Sequence, residues 1–264
     1  MVAKAIQRVR ALTAGRYAQL ATAVILLSWL GFTFLPQHGS QAHTAPPVAG
    51  HMHGMNHETM APMAPMAPMP AAHHPALWAA FAAWIVMTIA MMGPATLPAV
   101  QFVEQHAPRG RRGGAVALYA AVWLAVWAAV GIVITLAQSA ATGAAPWWLF
   151  AGALLATALW QLTPLKCQAL GDCHRSSPLP PSGWPAAKGV MRFGGLSGWA
   201  CARSCWAVML ATAVAPAAHV LLMVPLTAAV TWERFTGHPR RTTRILAVLF
   251  AAAAAAAAAF AALQ

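Results

Sequence analysis

From His51 to Met69 the chain reads His-Met-His-Gly-Met-Asn-His-Glu-Thr-Met, followed by Ala-Pro-Met three times. The ligand types gathered there are imidazoles at His51, His53 and His57 and thioethers at Met52, Met55, Met60, Met63, Met66 and Met69. His73 and His74 follow, His38 and His43 precede, and Glu58 is the one charged residue in the run. Thioether sulfur is a soft ligand that selects Cu(I), whereas neutral imidazole serves copper, zinc and nickel alike. Mixing the two therefore favours a copper ion, Cu(I) first, with zinc or nickel less well matched, because zinc takes Cys, His or carboxylate rather than methionine.

Spacing indicates what sort of site this is. Proline alternating with small residues favours polyproline II, with three residues per turn and about 3.1 Å per residue. Met60, Met63, Met66 and Met69 then share one face at intervals of roughly 9 Å, too far apart for one ion to join neighbours. The expectation is a disordered segment that captures metal weakly and exchanges it; as pure composition it also reads as a low-complexity linker.

The remaining chain has to hold this segment somewhere. Of 264 residues, 60% are hydrophobic and 8% charged, and apolar runs of about 20 residues recur, which excludes a soluble core and implies an all-α polytopic helix bundle in a lipid bilayer. Lys4, Arg8, Arg10 and Arg16 precede a first apolar run from about Tyr17 to Leu35. That run is read as span one, or alternatively as a signal peptide cleaved near Ser40-Gln41-Ala42. Further spans are expected at Leu77 to Phe102, Gly113 to Gln138, Pro146 to Leu165, Gly195 to Ala215, Ala217 to Trp232 and Ile245 to Leu263. The organisation is thus a basic N-terminus and first span (1–35), the His/Met segment (36–76), a membrane core (77–244) and an alanine-rich last span (245–264), about seven spans in all.

Basic residues orient the bundle. The net charge of +12 falls before span one, between spans two and three (Arg109, Arg111, Arg112), between four and five (Lys166, Arg175, Lys188, Arg192) and after six (Arg234, Arg240, Arg241, Arg244). Alternate connections have no Lys or Arg. The positive-inside rule then puts the N-terminus inside and the His/Met segment outside, in the periplasm if the membrane is a bacterial inner membrane. A charge pattern of this kind is explained by topology and leaves nucleic acid unneeded as a partner.

All four cysteines fall on the inner side or within spans: Cys167 and Cys173 in the inner loop, Cys201 and Cys205 in span five. Reduced thiols are expected there. Cys201, Cys205 and Met209 recur every four residues and so share a helix face, a stripe that serves either soft-metal binding or packing. His219 and Met223 lie four apart near the outer end of span six, and Met87, Met91 and Met92 precede a helix-kinking Pro94 in span two. Arg203, inside span five, needs a counter-ion, for which Glu233 is one candidate, or a snorkelling route to water at the inner surface. Pro164 is expected to end span four, with Lys166 marking the inner interface.

Taken in order, Trp84-Ile85-Val86-Met87, Ala90-Met91-Met92-Gly93-Pro94, Gln161-Leu162-Thr163-Pro164-Leu165-Lys166, Cys173, Gly198 to Cys205-Trp206, Met209 and Glu233-Arg234 resemble a bacterial family of predicted metal-binding integral membrane proteins. Some members of that family are labelled copper chaperones. The resemblance covers about Trp84 to Arg234 and implies a metal-handling membrane protein. Ser204 stands where adjacent cysteines are usual in that family, and Ala169 where a loop cysteine is.

The reading is a non-enzymatic membrane protein that captures copper on its outer face and passes it to a receiving protein or across the bilayer. Two other classes compete. A permease for nickel, cobalt or zinc would leave the methionines unexplained, and a thiol oxidoreductase would call for outward cysteines or a Cys-x-x-Cys. No phosphate-binding glycine loop is present to support ATP-driven pumping.

Overall fold

The computed structural model describes residues 15–34, 77–140, 146–180, 182–215, 219–236 and 238–263. His51, Met52, His53, Met55, His57, Met60, Met63, Met66, Met69, His73 and His74 lie outside the described residues. Those described form α1 (Arg16–Phe34), α2 (Leu77–His106), a 3-10 turn (Arg109–Arg111), α3 (Arg112–Ala140), α4 (Trp147–Gln161), α5 (Pro164–Cys173), α6 (Gly183–Ala213), α7 (His219–Phe235) and α8 (Pro239–Ala262), with no strand among them.

By length and composition, α2, the 3-10 turn with α3, and α8 are apolar enough to cross a membrane. A fourth crossing is reached if α4 and α5, bent by 74° at their junction, count as one broken span. The expectation of seven is not met by this measure. Helix α6 has 31 residues but carries Lys188, Arg192 and Arg203, while α1 and α7 run 19 and 17 residues. The alanine-rich terminal helix is one of the crossing candidates, and it begins at Pro239, earlier than the apolar run alone indicates.

Helix α1 is built into the bundle against α2. Pro94 has no N–H to give the carbonyl of Ala90 one turn back, and the indole N–H of Trp29 in α1 donates to that oxygen at 3.0 Å. At Gly93 a Cβ would sit 2.6 Å from Ile25 Cγ1, so the two helices approach through the missing side chain. Glu104, expected in a connection, lies buried in the last turns of α2. Its carboxylate accepts from the backbone N–H groups of Tyr17 and Ala18, both at 3.3 Å, so the first turn of α1 receives an anion at its positive dipole end.

Pro164 does stop α4, but it also starts α5. A proline at the first helical position loses no hydrogen bond, and Thr163 caps the new helix by accepting from Lys166 N at 3.2 Å. The inner loop expected from Lys166 to Phe193 is therefore largely helical, with α5 folded back on α6. Helix α8 packs along α4, and the buried alanines Ala254 and Ala257 of one and Ala151 and Ala158 of the other are small residues that let the backbones come close. Thr157 of α4 hydrogen-bonds the carbonyl of Ala207 at 3.0 Å and ties α4 to α6.

A buried sulfur chain and its charges

The i,i+4 spacing of Cys201 and Cys205 on α6 turns both thiols to one face. Each residue is 1% exposed, and the two thiols are neighbours one helical turn apart that interact with each other. One turn on, Met209 is fully buried, and Met87, Met91, Met92 and Met223 belong to the same core. The stripe expected from spacing is thus assembled, and two helices besides its own bring thioethers to the core that contains it. His219 is the first residue of α7, and its side chain lies outside the described part, so the expected pairing with Met223 has only its methionine on view.

Ser204 links the pair to the end of the bundle that carries the basic connections. Its hydroxyl donates to Cys201 O at 2.9 Å and stands 3.4 Å from Cys205 Sγ. On its other side lies Cys173 Sγ of α5, at 3.9 Å. A continuous chain of polar atoms therefore runs Cys201, Cys205, Ser204, Cys173. Cys173 in turn lines a cleft of about 610 Å³ together with Ala99, Phe102, His174, Ser197 and Arg234. His174 points both ring nitrogens at carbonyl oxygens, Leu170 and Arg234, at 2.8 Å, which leaves no lone pair directed at an ion.

Around this chain sits a charge cluster that span boundaries alone do not reveal. Lys166, expected at the inner interface, is fully buried and pairs with Glu233 at 2.9 Å while also donating to Ser204 O. Glu233 is consequently not the partner of Arg203. Arg203 pairs instead with Asp172, which α5 carries to it once the chain has turned back at Thr163, and Asp172 also meets the exposed Arg175 at 3.4 Å. Arg234 is only 7% exposed, and its Nε and Nη2 have no hydrogen-bond partner among the described residues. The groups that interact with its charge include Cys201, Cys173, Cys205, Tyr119 and Glu233. Tyr119 is itself held by Ser197 at 3.0 Å.

By sequence, Lys166 and Arg234 read as connection charges, and Cys173 and Ser204 are not among the candidate ligands. A signal was present in the scarcity of acids. The chain has four Asp and Glu, and each one among the described residues is already engaged, Glu104 in capping α1, Asp172 in holding Arg203 and Glu233 in holding Lys166.

Among the described residues no three His, Cys, Asp or Glu side chains gather as a metal site. What the core offers is a pair of thiols flanked by thioethers, a donor set that suits a soft ion of low coordination number and suits zinc or nickel poorly. No curated protein and no solved structure matches the chain. A family model described as PpoB2, copper chaperone, matches residues 81–257, which span every element from α2 to α8 that contributes to the sulfur chain and its charges. On that match, which takes in more than half of its length, the chain belongs to the PpoB2 copper chaperone family.

Proposed function

We propose that this is a membrane-embedded copper carrier that takes Cu(I) at an outward His/Met segment and relays it through Cys201, Cys205 and Cys173 toward the basic end of the bundle. The observation that carries the relay is the unbroken contact chain from the buried thiol pair through Ser204 to a thiol in an open cleft. A soft ion moves along such a chain by ligand exchange with no change of oxidation state, held by the Cys201 and Cys205 pair and then taken up by Cys173, which the Ser204 hydroxyl holds nearby. The His/Met segment supplies the first, exchanging ligands; Met209 and Met223 supply neutral sulfur in the core. A bundle of about seven spans with the segment in the periplasm is the topology that gives this relay a direction, from the poorly charged face to the basic one.

The decisive measurement is the metal content of the purified protein with and without residues 37–74, and with and without Cys201 and Cys205. Two separable populations of copper are expected, one lost with the segment and one with the thiols. Copper that disappears completely with the segment would leave the core as packing alone. Orientation is tested by labelling Ser40→Cys in intact cells with an impermeant thiol reagent, and labelling only after permeabilisation would reverse the direction of the relay.

A further inference from the structure

The buried charges around the thiol pair do not cancel. Lys166 and Glu233 neutralise each other at 2.9 Å, with side chains 0% and 1% exposed. Arg203 and Asp172 lie nearer the surface and are paired. Arg234 is a buried cation whose Nε and Nη2 donors have no hydrogen-bond partner among the described residues, and the carboxylate its charge reaches, Glu233, is already bonded to Lys166. Those two donors belong to the guanidinium edge that presents parallel donors to an anion. A buried charge without a partner is costly, and such a group persists where something else in the working state completes it. Arg234 and Cys173 line the same cleft, and the neighbours that lead in interacting with its charge are the thiols, Cys201 foremost, and Tyr119.

We infer that Arg234 is the counter-cation of an anionic metal–dithiolate centre at Cys201 and Cys205, and that this single charge makes the centre selective for monovalent soft ions over divalent ones. The inference rests on the core thiol site of the proposed function and adds the charge class of its substrate. On binding, each thiol loses its proton to water, two S–H bonds give way to two metal–sulfur bonds, and the metal keeps its oxidation state. A monovalent ion with two thiolates carries one negative charge, which Arg234 cancels. With a divalent ion the same pair is neutral, and Arg234 stays uncompensated. Thioethers such as Met209 do not alter this balance, since they carry no charge. A third thiolate would alter it, but Cys173 is separated from Cys205 by Ser204, and no third Cys, His or carboxylate joins the pair among the described residues. Softness alone does not account for the selectivity, because a soft divalent ion meets the same sulfurs and a different charge.

The test uses the full chain in detergent and the ultraviolet metal–thiolate absorption band, which neither histidine nor methionine sites produce. Ag(I) and Cd(II) serve as probes, both soft and differing in charge. Arg234→Gln is expected to lower the ratio of Ag(I) to Cd(II) affinity by at least about tenfold, whereas Arg234→Lys, which keeps the charge, is expected to hold it within a fewfold of the wild type. Arg234→Gln is also expected to gain less thermal stability from Ag(I) than the wild type does. An unchanged ratio in Arg234→Gln would overturn the inference while leaving the thiol site in place. A band that survives Cys205→Ser unaltered would overturn the thiol site itself, and the inference with it.

Discussion

Lys166 Nζ lies 2.9 Å from Glu233 Oε2 with neither side chain open to solvent, and the same ammonium donates to the carbonyl of Ser204 between the two halves of the sulfur chain. The pair joins α5 to α7 across α6 and fixes the helix turn that presents Ser204 to Cys205 and Cys173. Burial of two charges is itself expensive, so the pair contributes location more than stability.

Removing one partner is predicted to be far worse than removing both. Lys166→Ala leaves the Glu233 carboxylate buried without a counter-charge, a loss of about 3–5 kcal/mol. Lys166→Met combined with Glu233→Leu replaces the pair by apolar groups of similar size and is expected to recover most of that loss. Thermal unfolding in detergent of Lys166→Met, Glu233→Leu and the double variant measures the coupling, and additive losses would show that the two charges act independently.

A second prediction concerns α1. Because Glu104 accepts from the N–H groups of Tyr17 and Ala18 while Trp29 occupies the carbonyl that Pro94 leaves free, the first helix is expected to stay with the mature protein. Mass measurement of the purified chain should find residues 15–34 retained, and a mass beginning after Ala42 would instead identify a cleaved leader. Glu104→Gln should lower stability by up to about 2 kcal/mol through the weakened charge at the helix end.

The sequence makes some of this architecture readable and conceals the rest for physical reasons. Apolar runs mark α2, α3 and α8 because lipid contact demands continuous hydrophobicity, and the stripe Cys201, Cys205, Met209 follows from the helical repeat alone. Thr163-Pro164-Leu165-Lys166 reads as a helix end, and it is one; whether the chain then enters a loop or folds back as α5 depends on what Lys166 and Asp172 meet on α6 and α7. Those partners lie on helices far along the chain, beyond the reach of local pattern. The burial of Arg234 is hidden for a further reason: a cation at the end of an apolar run looks like an interfacial anchor until its surroundings in the fold are known.

At the His/Met segment the division of labour between ligand types is predicted from softness. Replacing Met60, Met63, Met66 and Met69 by Leu should weaken Cu(I) far more than Zn(II), while replacing His51, His53 and His57 should affect Cu(II) and Zn(II). Competition titrations with chelators of known affinity separate the two outcomes, and equal losses of both metals in the methionine variant would refute the assignment.

The last prediction decides between a protein that only holds copper outside and one that relays it inward. Cys205 is the step between the thiol partner Cys201 and Ser204, whose hydroxyl is 3.4 Å away and leads on to Cys173 at 3.9 Å. Cys205→Ser removes the soft ligand yet keeps a small polar group that can hydrogen-bond within its own helix, so the fold should survive with little change. If the relay operates, this variant binds copper at the outer segment as before but fails to deliver it, whether delivery is read as inward flux or as metallation of a receiving protein. Ser204→Ala is the companion change: both thiols and their metal–thiolate band should remain, while passage toward Cys173 slows because the group between them is gone. Full delivery by a normally expressed Cys205→Ser variant would exclude the relay and assign the work to the His/Met segment alone.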